Sequence, residues 1–183
     1  MRGNLYVTER LRREAEKQFG TKEEFLKSLR LELSIYEDDA SSLSRLAQLT
    51  EKTNQFNTDK RPLSEDELRA YVEDPSHRVF YWKLTDTFGD YGVVIFALVE
   101  IADGHWHIRS LLMSCRVFDR GVEQAFVAHV ACRAAAAGAR SLSVSFVETP
   151  KNAPAKAFVE EHFAAGTRPL AEMPEVPVWI HMV

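Results

Sequence analysis

The sequence contains few cysteines, no long apolar run and no secretion signal. Its two cysteines, Cys115 and Cys132, fit neither the spacing of a metal site nor a disulfide framework, which indicates a reducing compartment. No apolar stretch approaches the length that a membrane-spanning helix needs. The segment from Met1 to Gly20 is too charged for a signal peptide. These absences predict a soluble protein of the cytoplasm, with no membrane contact and no bound metal.

Basic residues are also in short supply. The chain carries 23 Lys and Arg against 27 Asp and Glu, a formal net charge of −4 at pH 7. Because a nucleic-acid site needs a basic surface, this balance argues against nucleic acid as a partner, although it allows a local basic patch. The length of 183 residues and the hydrophobic share of 45% suit one domain with a sizeable core.

The N-terminal part of the chain predicts a helical arm. The segment from Leu5 to Phe19 mixes charges of both signs, which is typical of a solvated helix. Thr21 and Glu24 have the spacing of a capping box, and a short helix to Leu29 should follow them. We therefore place a helical arm or linker at 1–29 and the folded domain at 30–183.

The rest of the chain predicts strands and helices that alternate irregularly. Hydrophobic periodicity and turn signals first predict strand Leu31–Ile35, a helix capped by Asp38 or Asp39 and ending at Thr53, and a helix capped by Ser64 and Glu67 and stopped by Pro75. A sheet follows, with strand Val79–Leu84, loop Phe88–Gly92, central strand Val93–Ile101, turn Asp103–Gly104 and antiparallel strand His105–Met113. The remaining elements are helix Val122–Ala137 with Gly138 at its end, strand Leu142–Val147, helix Ala155–His162 with Asn152 as N-cap, and strand Val178–Met182. These elements alone indicate an α/β or α+β fold.

The turn from Met113 to Gln124 is the strongest candidate for binding an anion. It follows an apolar strand and opens a helix at Gly121, so free backbone N–H groups and the helix dipole favour a phosphate there. Arg116 and Arg120 would add positive charge to the same place.

Three separate motifs carry a resemblance to a known family. The segment Gln48–Asn57, the pair Ser-Cys-Arg-Val (114–117) and Arg-Gly-Val-Glu (120–123), and Lys-Asn-Ala-Pro (151–154) together resemble the C-terminal half of FkbH-like proteins, in the same order. The likeness runs from about Tyr6 to Phe163. In that family a HAD-type phosphatase domain precedes a GNAT-like domain. The resemblance implies a GNAT-like (acyl-CoA N-acyltransferase) fold, with a mostly antiparallel mixed sheet flanked by helices.

The same resemblance implies a function and partners. FkbH-like proteins work on acyl carrier proteins, where a glyceryl or related unit is carried as a phosphopantetheine thioester in polyketide or related biosynthesis. The Asp-x-Asp-x-Thr nucleophile motif of a HAD phosphatase does not occur in this sequence. We therefore expect that this chain cannot load a glyceryl unit alone and that a HAD-type phosphatase domain is a further partner.

The phosphate-binding turn departs from the usual GNAT pattern of Arg/Gln-x-x-Gly-x-Gly/Ala. If Gly121 is the first glycine, Phe118 takes the basic position and Glu123 takes the second glycine position. A carboxylate there should repel the pyrophosphate of CoA or acetyl-CoA. A phosphopantetheine arm brings only one phosphodiester, and it suits the altered turn better.

The motifs supply the candidate site residues. The candidate catalytic residues are Asn54, Cys115 and Glu148; the candidate substrate residues are Gln55 and Asn57; the candidate cofactor-binding residues are Met113, Ser114, Arg116, Arg120, Gly121, Val122, Lys151 and Asn152.

The residue pattern leaves alternatives open at several of these positions. Cys115 is either a nucleophile activated by its arginine neighbours or a buried cysteine at the end of a strand. The segment 53–57 is either a substrate loop or a helix C-cap with a turn. The polar residues Glu148 and Lys151 after strand 142–147 either lie near the thioester or form a turn that begins a helix. His105 and His107 share a strand face, as two surface imidazoles or as part of a metal site.

Three functions remain compatible with the sequence. The first is an acyltransferase-type domain acting on acyl carrier protein thioesters. The second is a non-catalytic module that docks a carrier protein for a partner phosphatase domain. The third is an ordinary CoA-dependent N-acetyltransferase, which Glu123 disfavours. For the fold, we expect a V-shaped opening between the strand ending at Met113 and the strand 142–147.

The altered turn generates a testable prediction about acetyl-CoA. Calorimetry should show little heat when acetyl-CoA is added to the parent chain, and Glu123→Gly should improve binding because it removes the carboxylate from the phosphate position. Tight, stoichiometric binding of acetyl-CoA by the parent would contradict this interpretation of the turn.

Overall fold

The computed structural model describes residues 2–102, 104–163 and 167–183, so Asp103 of the expected turn lies outside the described residues, as does Met1 of the arm. The helices are α1 (Arg2–Glu16), α2 (Lys22–Leu29), α3 (Leu43–Lys52), α4 (Glu65–Glu73), α5 (Val122–Ala136) and α6 (Ala153–His162). The strands are β1 (Leu31–Glu37), β2 (His77–Asp86), β3 (Gly89–Ala102), β4 (His105–Met113), β5 (Ser141–Val144), β6 (Thr167–Pro169) and β7 (Ile180–Met182).

One mixed sheet organises the chain. Its strands lie in the order β6-β5-β4-β3-β2-β1-β7. The pairs β1–β2, β2–β3, β3–β4 and β5–β6 are antiparallel, whereas β4–β5 and β1–β7 are parallel. The predicted α+β class, with a mostly antiparallel mixed sheet flanked by helices, is confirmed.

The sheet carries a hydrophobic core on each face. On one side, called here the α3 face, α3 and α4 bury Leu46 and Leu68 against Phe96. On the other side, the α5 face, α2, α5 and α6 cover a larger core that contains Leu29 and Phe126. The central strand β3 is almost continuously buried, as its apolar run predicts.

Both predicted capping boxes form. The Glu24 N–H donates to Thr21 Oγ1 and the Thr21 N–H donates to Glu24 Oε2, each at 3.2 Å. Ser64 and Glu67 do the same at the start of α4. Asp39 caps a short 3-10 turn that precedes α3, so the helix starts a few residues later than predicted.

Three predicted boundaries are wrong. The loop expected at Phe88–Gly92 is only a tight turn, because the Asp86 carboxylate accepts from the N–H groups of Phe88 (2.8 Å) and Gly89 (3.0 Å) and β3 starts at once. Strand β5 ends at Val144, three residues early, because the Val147 N–H donates to the Thr58 carbonyl and not to β4. Strand β7 starts two residues late, and the short strand β6 was not predicted.

The N-terminal helix is not only a solvated arm. Arg12 on α1 pairs with Asp86 at the end of β2: its Nε and Nη2 donate to Oδ2 and Oδ1 at 2.7 and 2.9 Å. The two side chains are 4% and 0% exposed. The Tyr91 hydroxyl adds a third bond to Asp86, at 2.8 Å. The boundary predicted between residues 29 and 30 stays a prediction, although Leu29 of α2 belongs to the main core.

Burial and hydrogen bonding act on Asp86 in opposite directions. Burial alone would raise its pKa, but the Arg12 guanidinium, the Tyr91 hydroxyl and the Phe88 N–H together hold the pKa of Asp86 below its usual value. Because the folded-state pKa lies below the unfolded value of about 4, the pair stabilises the fold above that pH and loses this contribution as the pH falls further.

The buried pair gives a stability prediction. Arg12→Ala should lower the free energy of unfolding by about 3 kcal/mol, because it leaves a buried carboxylate without its cation. Arg10→Ala is the matched control, since Arg10 is on the same helix and pairs with exposed Glu14. Its effect should be much smaller, because exposed ion pairs contribute little to stability. Urea denaturation at neutral pH measures both, and equal effects would contradict the role assigned to Arg12.

Candidate active site at the end of strand β4

Strands β4 and β5 separate after a short parallel pairing. The last paired residues are Ile108 and Val144, while β4 continues to Met113. The two strands therefore diverge as predicted. The gap between them is not open, however, because the segment Phe56–Thr58 lies in it; we call this the inserted segment.

The inserted segment binds both sides of the gap as an extra strand would. The Thr58 N–H donates to the Leu111 carbonyl and the Leu111 N–H donates to Thr58 Oγ1, each at 3.0 Å. The Met113 N–H donates to the Phe56 carbonyl at 3.0 Å. On the β5 side, the Val147 N–H donates to the Thr58 carbonyl at 2.8 Å. This last bond explains why β5 ends early.

Two buried asparagines fix the inserted segment. Asn57 is 1% exposed; its Nδ2 donates to the Thr53 carbonyl at 3.0 Å and its Oδ1 accepts from the Lys60 N–H at 2.9 Å. Asn152 is also 1% exposed, and its Nδ2 donates to the carbonyls of Asn57 and Val147, both at 2.9 Å. Asn152 stands at the N-cap position of α6 as predicted, but its side chain makes no capping bond there.

A cleft of about 540 Å³ opens beside the end of β4 on the α3 face. One side of α3, residues 53–56 and the turn after β4 form most of its wall. Its lining residues are Arg45, Leu49, Lys52, Thr53, Asn54, Gln55, Phe56, Met113, Ser114, Cys115, Arg116 and Lys151. Four of them are cationic and none is a carboxylate. We call it the basic cleft.

The cations of the basic cleft have no acidic partners in the part of the chain that the structure describes. No carboxylate there lies within salt-bridge distance of Arg45, Lys52, Arg116 or Lys151. Arg116 Nε donates only to Ser114 Oγ, at 3.1 Å. Burial, and next the positive charge of Arg45, lower the pKa of Arg116. Uncompensated positive charge of this kind favours an anionic ligand.

The cleft brings together seven of the predicted site residues and excludes the others. Asn54, Gln55, Met113, Ser114, Cys115, Arg116 and Lys151 line it. Glu148 does not; it is exposed and pairs with Lys156 at 2.9 Å. Arg120 lies over the ring of Tyr91, 5.5 Å from its centre. The amides of Asn57 and Asn152 are committed to the protein backbone.

Sequence reasoning missed the contribution of α3. Arg45, Leu49 and Lys52 line the cleft together. Their spacing of four and three residues puts them on one helix face, so the signal was present in the sequence. The periodic apolar residues of this helix predict the side that faces the core, and they assign no ligand to the face that carries Arg45 and Lys52.

Cys115 is an exposed cysteine that lines the basic cleft. This excludes the alternative of a buried cysteine at the end of a strand. The histidines His105 and His107 are half-buried on the sheet, where each ring bonds two serines of β5 or its continuation: Ser141, Ser143 and Ser145. Among the described residues no group of three or more His, Cys, Asp or Glu could hold a metal ion.

The N-terminus of α5, where the sequence predicts a phosphate site, is crowded by neighbouring side chains. Glu123 lies in the first turn of this helix, and burial raises the pKa of its carboxyl. Pro177 packs over Gly121, where an added Cβ would lie 2.9 Å from Pro177 Cγ. Trp179 Nε1 donates to the Arg120 carbonyl at 2.9 Å. A cavity of about 520 Å³ at this end of α5 is lined by Glu23, Asp119, Glu123 and Glu175 against one cation, Lys22, so its charge disfavours a phosphate.

The α5 face of the inserted segment also carries the wrong charge for a phosphate. A pocket of about 330 Å³ lies there, between α5 and α6. Its lining includes Asp119, Glu123 and Glu161 together with aromatic residues, and no lysine or arginine. The charges on the two sides of the inserted segment are thus opposite.

The architecture has known counterparts. The structure superposes on the ribosomal-protein-S18-alanine N-acetyltransferase from Escherichia coli with a TM-score of 0.53 and 14% identity, over 80% of this chain and 97% of that one. A GNAT-family acetyltransferase from Streptococcus pneumoniae gives 0.52 and 13%, over 72% and 83%. The fold is that of the GNAT acetyltransferases.

A tandem GNAT protein from the clavulanic acid biosynthesis pathway is also similar, with a TM-score of 0.52 and 18% identity, over 72% of this chain and 42% of that one. No family model and no curated protein matches the sequence. No described helix is long and apolar enough to cross a membrane.

The charge of the cleft predicts how Cys115 reacts. In a Cys132→Ser chain, a negatively charged disulfide reagent should modify Cys115 faster than a neutral one, and added salt should reduce the difference, because attraction between exposed charges is screened. Cys132 in a Cys115→Ser chain is the control. Equal rates of the two reagents at Cys115 would show that the cleft has no effective positive potential.

Proposed function

We propose that this chain is an acyltransferase-type domain that handles a glyceryl or related acyl unit on the phosphopantetheine arm of an acyl carrier protein. The observation that carries the proposal is the basic cleft with no carboxylate in its lining. A carrier protein presents an acidic surface next to a phosphodiester-linked arm, and both need positive charge in a protein whose net charge is −4.

The cleft also suits the chain of atoms beyond the phosphate. Asn54 and Gln55 are exposed amides in its lining, and amides can both donate to and accept from the hydroxyl groups of a glyceryl unit. Leu49 and Met113 supply apolar contact. An arm bound in this cleft would bring its thioester to the end of β4, where Cys115 lies.

Cys115 can carry the acyl group through thioester exchange. Its sulfur attacks the thioester carbonyl, a new carbon–sulfur bond forms, and the bond to the pantetheine sulfur breaks; the proton of Cys115 passes to the departing thiolate. A second acceptor then takes the acyl unit from Cys115 by the same type of step.

A carrier-protein arm explains the site better than CoA does. CoA would bring a pyrophosphate, in place of the single phosphodiester of the arm, to the N-terminus of α5, where Glu123, Pro177 and Trp179 lie. The N-acetyltransferase names of the structural neighbours keep CoA-dependent N-acetylation as an alternative. The polyketide context and a HAD-type phosphatase partner rest on the resemblance of the three motifs.

One observation favours a second function, a non-catalytic docking module. The lining of the basic cleft contains no histidine, aspartate or glutamate, so no ordinary general base lies in it. A docking module would bind the holo carrier protein without forming a covalent intermediate.

Mass spectrometry of the chain mixed with glyceryl-carrier protein separates the two functions. The acyltransferase proposal expects a mass increase of one glyceryl unit on the chain, lost in Cys115→Ser, whereas Cys132→Ser keeps it. Binding of the carrier without this mass increase would support the docking module and contradict the covalent step.

The charge of the cleft predicts the association kinetics. Arg45→Glu should slow association with holo carrier protein by about tenfold at low salt, with little change in the dissociation rate, because steering charges act mainly on association. Lys17→Glu makes the same charge change outside the cleft and should have much less effect. Stopped-flow measurements at two salt concentrations test this, and identical effects of the two variants would exclude docking at the cleft.

A further inference from the structure

The usual route of a pantetheine arm is closed in this chain. In the GNAT arrangement the arm enters the splayed strand pair, as the family resemblance implies. Here the edge of β4 beyond Ile108 has no β5 partner, but it already bonds to the inserted segment. The Leu111 N–H, the Leu111 carbonyl and the Met113 N–H all take part. A pantetheine amide that used this edge would have to break these bonds and compete with partners that the chain already supplies.

The inserted segment is a buried part of the structure and not a surface loop. Phe56, Asn57 and Thr58 are 4%, 1% and 0% exposed. The Phe56 ring packs against Phe118 and Phe158, with ring centres 5.8 and 5.2 Å apart. Besides the bonds to β4, Asn152 holds the middle of the segment through the Asn57 carbonyl.

The inserted segment separates two cavities of opposite charge. Phe56 and Met113 line both the basic cleft and the acidic pocket on the α5 face. They are therefore the wall that the two cavities share. A phosphate is attracted to the first cavity and repelled by the second.

We infer that the phosphopantetheine arm reaches the site from the α3 face alone, that the inserted segment is a fixed floor beneath it, and that Asn152 is the positioning residue that holds this floor. The inference rests on the proposed function for the identity of the arm. It changes the role of Asn152 from cofactor contact to support, and it places no part of the arm between β4 and β5.

Hydrogen exchange tests the floor without any carrier protein. The amides of Leu111, Met113 and Val147 all depend on the inserted segment. Asn152→Asp keeps the oxygen that accepts from the Thr149 N–H but loses the donor to Asn57 and Val147. These three amides should then exchange at least about tenfold faster, while the amides of β2 stay unchanged.

Two further variants keep this test decisive. Glu160→Gln makes an amide–carboxylate exchange on the exposed surface of the same helix and should leave the three amides unchanged. If Asn152→Asp does not fold, Thr58→Val takes its place, since it removes only the Oγ1 acceptor of the Leu111 N–H. Fast exchange of these amides in the parent would show that the segment is not a fixed floor.

Blocking each cavity tests the direction from which the arm arrives. Asn54→Trp fills the basic cleft, and Ala157→Trp fills the acidic pocket on the α5 face. Calorimetry should show that Asn54→Trp weakens binding of holo carrier protein by at least about tenfold, whereas Ala157→Trp leaves it unchanged. The reverse result would place the arm on the α5 face and overturn the inference.

The positioning role predicts a difference between holo and apo carrier protein. Asn152→Asp should weaken binding of the holo form, which carries the arm, and leave the weaker binding of the apo form unchanged. Equal weakening of both forms would indicate general damage to the fold and not positioning. If the parent binds neither form, the proposed function is wrong and the statement about the arm falls with it, while the exchange rates still decide the floor.

Discussion

The hydrogen bonding of Phe56–Thr58 within the gap between β4 and β5 is the constraint on which the site depends. Two strands that separate inside a sheet leave N–H and carbonyl groups that need partners once they are buried. This chain supplies the partners itself, through the backbone of Phe56 and Thr58 and the hydroxyl of Thr58, and fixes them with Asn152. The consequence is that the sheet is closed between the diverging ends of β4 and β5.

Closing the gap also divides the charges. On the α3 face, Arg45, Lys52, Arg116 and Lys151 surround a cleft without carboxylates. On the α5 face, Glu123 lies in the first turn of a helix whose N-terminus would otherwise favour an anion. Although the net charge of the chain is negative, positive charge is therefore concentrated on the α3 face of the inserted segment. This separation is the physical basis of the proposal that an anionic, arm-bearing partner binds on the α3 face.

The sequence allowed the fold to be predicted well where local rules and core packing agree. The capping boxes at Thr21 and Ser64 form because side chain and backbone lie three residues apart, which needs no tertiary information. Strand β5 was predicted too long because its apolar residues continue after Val144, whereas its pairing partner changes. No local pattern shows that Val147 pairs with Thr58.

The site was predicted only in part, for the same reason. The residues of the Asn54 and Cys115 motifs meet in one cleft, but Asn57 in the first motif and Asn152 in the third serve the framework. A buried asparagine and a ligand-binding asparagine have the same side chain, and only the fold distinguishes them. The Arg12–Asp86 pair joins residues far apart in the chain, so charge composition alone suggested a solvated helix.

The most direct test of the account is an amide chemical-shift map of the isotope-labelled chain titrated with holo and apo carrier protein. The account predicts that the difference between the two maps is concentrated at the end of α3, at residues 113–116 and at Lys151, with no difference at residues 121–124. A difference concentrated at residues 121–124 and along α6 would contradict it, because the arm would then lie on the acidic face.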